Sequence, residues 1–168
     1  PRLKVIAKHG AGYDSIDIKA AADNHVRVVF APYANSLSVA EHTMALVLAC
    51  AKKIPFMAKQ YREGNYKAKD LYPNTELAGK TLGLIGLGRI GMMTAQIAMN
   101  GFGMRAVAYD PFIPKDRDLK GVELLADRDE LFKISDYVSV HTPATPENIK
   151  SVGAREFQLM KPTAVIVN

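Results

Sequence analysis

Thr81-Leu82-Gly83-Leu84-Ile85-Gly86-Leu87-Gly88-Arg89-Ile90-Gly91 runs an apolar strand directly into a Gly-x-Gly-x-x-Gly turn. In this pattern Gly86 permits the tight turn, and Gly88 lets the backbone approach a pyrophosphate. Gly91 lets the following helix pack close to the strand, with the phosphates at its positive N-terminus. The run therefore reads as a dinucleotide site. Glycines at this spacing also occur in turns that bind nothing, so the flanking elements carry the weight.

Downstream of the turn a helix is expected over Ile90 to Asn100, then a strand over Met104 to Tyr109, with Asp110 at the strand's end. Asp110 lies 19 residues after Gly91, near the separation of about 20 at which a carboxylate reaches the ribose hydroxyls. A carboxylate there repels a 2′-phosphate, and Pro111-Phe112 occupy the place where NADP would call for a basic residue. NAD is the expected cofactor. Lys115 and Arg117, a few residues on, keep NADP open, and Asp110 could otherwise be a strand-end carboxylate before the Pro111 turn.

With 48% hydrophobic and 23% charged residues in 168, the chain has the makeup of a globular protein able to bury an ordinary core. Disordered and collagen-like classes drop out. The longest apolar run, Met44 to Ala51, falls well short of the roughly 18 residues a spanning helix needs, so no membrane partner is expected. The net charge of +5 is concentrated at Lys52, Lys53, Lys59, Arg62, Lys67 and Lys69. That stretch carries no nucleic-acid motif and reads as a solvated helix face, so no nucleic-acid partner is expected. The single cysteine, Cys50, excludes an internal disulfide and fits a reducing, cytoplasmic setting; in an apolar helix it is expected to be a buried, inert thiol. Pro1 is not an initiator methionine, so the natural N-terminus is expected to lie outside the chain.

Along the chain, a strand is expected at Leu3 to Ala7, then Gly10-Ala11-Gly12, a helix from Ile16 to Asn24 and a strand from Val26 to Phe30, followed by a boundary at Pro32 to Asn35. Ser38-Val39-Ala40-Glu41 reads as a capping box opening a long helix. Val39, Thr43, Leu46, Cys50, Ile54, Met57 and Tyr61 form its apolar stripe, facing the core or a subunit interface, with a kink or restart at Pro55. Gly64 to Gly79 reads as a surface connection. Beyond it come four strands (the motif strand, Met104 to Tyr109, Tyr137 to Val140, Ala164 to Val167) alternating with helices, including Asp127 to Lys133 and Gly153 to Leu159. Such alternation gives an α/β doubly wound parallel sheet of Rossmann type. The fold is expected to be incomplete where the chain stops, at Asn168.

Several linked motifs in order make the chain resemble the D-isomer-specific 2-hydroxyacid dehydrogenases, most closely their phosphoglycerate dehydrogenase branch. They are Gly10-Ala11-Gly12-Tyr13-Asp14-Ser15-Ile16-Asp17, Ala34-Asn35-Ser36 with Val39-Ala40-Glu41-His42-Thr43, Gly79 to Gly91, Tyr109-Asp110-Pro111, Val140-His141-Thr142-Pro143, and Met160-Lys161-Pro162 with Val167-Asn168. The resemblance implies that residues 1–33 end the first segment of a flavodoxin-like substrate domain. Residues 34–168 would be an NAD-binding domain that opens with an interdomain or dimer helix and is cut after its fourth strand. It further implies that Arg89 and Ile90 present backbone N–H groups to the pyrophosphate, that Asp110 holds the ribose, and that Thr142 and Pro143 line the cleft. Gly10, Ala11 and Gly12 would offer main-chain N–H groups to a substrate carboxylate, with Ala11 touching the cofactor; Ala11 replaces the hydroxyl residue often found there, so only the backbone role carries over.

The chemistry implied is hydride transfer between the nicotinamide and C2 of a D-2-hydroxy or 2-oxo acid, 3-phosphoglycerate being the substrate of the closest branch. An arginine and a histidine paired with an acidic residue would bind the acid and move the proton. These catalytic residues are expected beyond Asn168, and none of His9, His25, His42 and His141 matches the histidine. Neither zinc-ligand spacing nor a Gly-x-Ser-x-Gly elbow occurs, so neither metal nor hydrolase chemistry is expected. The same architecture also serves non-catalytic, NAD(H)-responsive corepressor-like proteins, the alternative reading. A homodimer or higher homo-oligomer is expected in either case.

Overall fold

The computed structural model describes residues 2–114, 116–143, 145 and 148–168. The chain divides into two compact units, residues 1–39 and 40–168. In the smaller unit, strand β1 (Val5–Lys8) leads to helix α1 (Ile18–Asp23) and then to strand β2 (Arg27–Phe30), which pairs parallel with β1. Asp17 caps α1, its Oδ1 accepting the Ala20 N–H at 2.8 Å.

Helix α2 (Ser36–Ala51) starts two residues before the expected capping box. The Asn35 carbonyl already accepts the Val39 N–H at 2.9 Å, so Ser38 lies inside the first turn and does not cap it. The restart expected at Pro55 is present: α2 stops at Ala51 and α3 (Ile54–Arg62) begins with Pro55 in its first turn. A proline ring at 55 would collide with the carbonyl four residues earlier, that of Ala51.

The expected apolar stripe does not face the core of its own chain. Ala40, Thr43, Met44, Val47 and Ala51 face the core, whereas Leu46, Cys50, Ile54 and Tyr61 are exposed. Thr43 and Met57 alone of the expected set are buried, and Cys50 is an exposed free thiol rather than a buried one. The stretch read as a surface connection holds the short helix α4 (Ala68–Leu71), with Ala68 and Leu77 buried.

The larger unit is built on five parallel strands, β3 (Thr81–Ile85), β4 (Arg105–Tyr109), β5 (Glu123–Leu124), β6 (Tyr137–Val140) and β7 (Val165–Val167), in the order β5-β4-β3-β6-β7. Among the described residues the sheet thus has five strands where four were expected, the addition being the two-residue edge strand β5. Helices α5 (Arg89–Phe102), α6 (Arg128–Ile134) and α7 (Ala154–Leu159) complete the unit.

β3 is buried along its whole length, and the period of two sends its side chains alternately to the two faces. Leu82 and Leu84 join Ala106, Ala108, the α5 residues Met92, Ala95 and Ala98, and the α2 residues Met44, Val47 and Ala51 in one core. Ile85 joins Val107, Val138, Leu131 and Phe132 in the other, against α6. Helices on both faces of a parallel sheet are the direct consequence. Gly83 sits where no side chain fits: a Cβ there would come within 2.2 Å of Ser135 Oγ and 2.8 Å of Leu131 Cδ2, so α6 lies against bare backbone.

Chain order fixes where a ligand can lie. From β3 the chain winds outward through β4 to β5, then returns to the other side of β3 for β6 and β7. Loops leaving β3 and β6 therefore diverge and open a crevice at their carboxyl ends.

Candidate functional site

The crevice is a cleft of about 700 Å³ whose lining includes Gly86, Gly88, Asp110, Thr142 and Pro143. All five are residues that the sequence singles out, and strands β3, β4 and β6 bring them together. Arg89, Ile90 and Gly91 form the first turn of α5, which starts at the cleft with Gly88 as its N-cap.

Each glycine of the turn answers to a different constraint. Gly86 has φ +91°, a left-handed conformation that a side chain resists, and a Cβ there would lie 3.0 Å from the His141 carbonyl oxygen. At Gly91 a Cβ would fall 2.4 Å from the Gly86 carbonyl oxygen, so α5 approaches the turn more closely than any side chain allows. A Cβ on Gly88 would meet nothing within 4 Å. Space left open over backbone at the mouth of a helix N-terminus fits an anionic diphosphate.

Asp110 closes the turn from the end of β4. Its Oδ2 accepts the Leu87 N–H at 2.9 Å, and its Oδ1 accepts the Phe112 N–H at 3.0 Å. The carboxylate is thereby fixed, and each oxygen keeps lone-pair capacity for a further donor such as a sugar hydroxyl. Leu87 is braced from its other end as well, since its carbonyl accepts from Arg117 Nη1 at 2.8 Å. Lys115, the other basic residue noted beyond Asp110, lies outside the described residues.

The opposite wall comes from residues to which the sequence assigns no role. His141 follows β6; its N–H donates to the Ile85 carbonyl at 2.8 Å, and its Nε2 lies 3.0 Å from the hydroxyl of buried Ser139. Burial pushes its imidazole down to about 4, so the ring is neutral at neutral pH. Arg128, in the first turn of α6, packs its guanidinium 5.4 Å from the Phe132 ring centroid, donates to the Ser151 carbonyl and pairs with Glu156 at 3.9 Å. Asn148 Nδ2 donates to the Pro143 carbonyl at 3.1 Å. Arg128 and Asn148 thus tie the segment after β6 to α6 and to itself. Position at a strand end could have flagged His141; nothing local in the sequence marks Arg128, which reaches the cleft only through the crossover.

Gly10, Ala11 and Gly12 lie in the smaller unit, just after β1. Gly10 has φ +104° and its carbonyl accepts the Ala31 N–H at 3.0 Å, joining the turn to the end of β2. Among the described residues no group of three or more His, Cys, Asp or Glu side chains is placed to hold a metal ion, and no helix is long and apolar enough to cross a membrane.

Comparison with known proteins agrees with this geometry. The family model described as D-isomer specific 2-hydroxyacid dehydrogenase, NAD binding domain, matches residues 44–168. D-3-phosphoglycerate dehydrogenase of Methanocaldococcus jannaschii is 45% identical over 168 residues, covering 99% of this chain and 32% of that protein. Hydroxypyruvate reductase of Thermotoga maritima is 43% identical over 167 residues, covering 99% of this chain and 53% of that protein. Among solved structures, D-lactate dehydrogenase of Aquifex aeolicus complexed with NAD and lactic acid superposes with a TM-score of 0.86 at 34% identity, covering 100% of this chain and 50% of that one. The chain spans about a third of the first relative's length and about half of the other two. It belongs to the D-isomer specific 2-hydroxyacid dehydrogenases, and residues 44–168 match the NAD-binding domain of that family.

Proposed function

We propose that the whole protein is an NAD-dependent oxidoreductase acting on the CH–OH group of a D-2-hydroxy acid, with 3-phosphoglycerate as its substrate. The observation that carries the NAD reading is Asp110, fixed by two backbone N–H groups at the edge of the cleft beside Gly86 and Gly88. The 45% identity to a D-3-phosphoglycerate dehydrogenase supports the choice of acid. When bound, the nicotinamide supplies the hydride acceptor or donor. This chain's residues hold and orient the cofactor: Gly88, Arg89 and Ile90 face the pyrophosphate with backbone N–H groups, Asp110 accepts the ribose hydroxyls, and Thr142 and Pro143 bound the cleft. Residues 1–33 are the end of a substrate-domain segment whose Gly10, Ala11 and Gly12 turn presents N–H groups to the acid's carboxylate; residues 34–168 are the NAD domain.

NADH titrated into the full-length protein should bind with a change in nicotinamide fluorescence, and Asp110→Ala should weaken it by at least about tenfold, the loss of one or two charge-assisted hydrogen bonds. Unchanged NADH affinity in Asp110→Ala would remove the ribose role. A panel of D-2-hydroxy acids followed by NADH absorbance then tests the substrate; binding without turnover on any of them would favour a cofactor-sensing protein.

We also infer a homo-oligomer. Leu46, Ile54 and Phe56 place 36%, 52% and 38% of their surface in solvent along α2 and α3, apolar surface that a second copy of the chain would cover. Leu46→Asp with Ile54→Asp should lower the mass seen by light scattering while leaving the fold intact, because neither side chain is in the core. An unchanged mass would place the contact elsewhere.

A further inference from the structure

Ser139 and His141 stand two residues apart where β6 ends, and the serine hydroxyl lies 3.0 Å from His141 Nε2. Ser139 is buried, and this is the one hydrogen bond its hydroxyl makes among the described residues. If Nε2 held the ring proton and donated it, the serine O–H would be left in the core with no acceptor, which buried polar groups avoid. Ser139 therefore donates to Nε2. Burial keeps the imidazole neutral at neutral pH, and a neutral ring carries a single proton, so that proton sits on Nδ1. Nδ1 makes no hydrogen bond to any described residue, while no buried side-chain nitrogen or oxygen among those residues lacks a partner. The Nδ1–H is thus not sealed in the core, and the open space that His141 lines is the cleft. On the ring's other edge, Cδ2 would stand 3.7 Å from a Cβ placed on Gly91, so the imidazole flanks the first turn of α5.

We propose that His141 is a cofactor-binding residue of this site, donating its Nδ1–H to an oxygen of the dinucleotide's diphosphate, with Ser139 as the positioning residue that fixes the tautomer. The inference rests on the proposed binding of NAD in this cleft, where the diphosphate lies at the α5 N-terminus. The diphosphate oxygens are anionic, so a neutral N–H makes a charge-assisted hydrogen bond to them without burying a charge of its own. The contact adds a side chain from the β6 wall to the backbone N–H groups that the glycine turn supplies from the opposite one.

The test titrates NADH into full-length wild type, His141→Asn and His141→Gln. An asparagine amide presents an N–H where Nδ1 stands and falls short of Ser139, whereas glutamine reaches Ser139 and leaves the Nδ1 position without a donor. NADH affinity should stay within a few-fold of wild type in His141→Asn and fall at least about tenfold in His141→Gln. A purely structural histidine gives the reverse order, since glutamine keeps the serine's partner. ADP-ribose, which retains the diphosphate, should follow NADH; adenosine, competing without one, should bind wild type and His141→Gln alike. Side-chain nitrogen NMR on histidine-labelled wild type reads the tautomer directly and serves if a variant does not fold: the proton should sit on Nδ1, and its signal should move as NADH is added. A proton on Nε2, no loss of NADH affinity in His141→Gln, a loss as large in His141→Asn, or an equal loss for adenosine would each overturn the proposal. Failure of wild type to bind NADH would instead overturn the reading on which it rests.

Discussion

Gly91→Ala is expected to abolish NADH binding and to cost roughly 3 kcal/mol of stability, the upper end of what forcing a methyl into packed structure does. The new Cβ would stand 2.4 Å from the Gly86 carbonyl oxygen, and a backbone atom cannot rotate aside as a side chain can. Nor can the turn yield easily. Gly86 donates its own N–H to the Tyr109 carbonyl at 3.0 Å, and the next residue, Leu87, is held by Asp110 and Arg117. Relief has to come from α5 moving off β3, which opens the core formed by Met92, Ala95 and Ala98 and withdraws the helix N-terminus from the cleft. Urea unfolding and NADH titration on the same preparation read both effects.

Gly88→Ala supplies the contrast. Its Cβ meets nothing within 4 Å, and alanine at a helix N-cap costs about 1 kcal/mol or less relative to glycine. Stability should therefore hold while NADH affinity falls at least about tenfold, because the methyl fills space the pyrophosphate needs. If Gly88→Ala binds NADH as wild type does, the phosphates do not pass over that residue; if Gly91→Ala does, the closeness of α5 has no part in binding.

The fold was legible where local and global requirements coincide. β3, β4 and β6 are short apolar runs buried on both faces, and the glycine turn lies at the one place in a doubly wound sheet where a ligand fits. β5 escaped notice because Glu123-Leu124 has no periodicity to show; it is a strand through its pairing with β4, helped by an Arg105–Glu123 ion pair at 2.6 Å across the two strands. The core face of α2 was hidden for the opposite reason. Apolar residues surround that helix almost completely, so three- and four-residue steps can be drawn through Leu46 and Cys50 as readily as through Met44, Val47 and Ala51. Small alanines at 40 and 51, which let the helix approach its neighbours, mark the buried side better than the larger residues do. In the site, the glycine-loop half could be read from spacing, but the Arg128, Asn148 and Ser151 wall is assembled by a crossover and has no signature along the chain.

His141 should make stability fall as pH drops from about 6.5 to about 4. Burial lowers its folded-state value to about 4 from the ordinary 6.5, so between those limits the unfolded chain takes up a proton that the folded chain refuses. The unfolded state then binds more protons, and stability rises with pH across that window. The full effect is present above 6.5 and is lost by about pH 4; a difference of this size corresponds to about 3 kcal/mol. Carboxylates shift their share of the acid response lower. Burial alone would raise the Asp136 carboxyl, but the Lys161 ammonium at 2.8 Å and the Thr81 N–H outweigh it and hold it below its ordinary value. The Gly153 N–H does the same for Glu156. Their contributions therefore disappear at more acid pH than the histidine's. Urea midpoints measured from about pH 7.5 to about 4 should slope upward with pH in wild type and be much flatter in His141→Gln, which keeps a polar group for Ser139 but takes up no proton. Equal slopes would show that the His141 ring takes up its proton as readily in the folded chain as in the unfolded one.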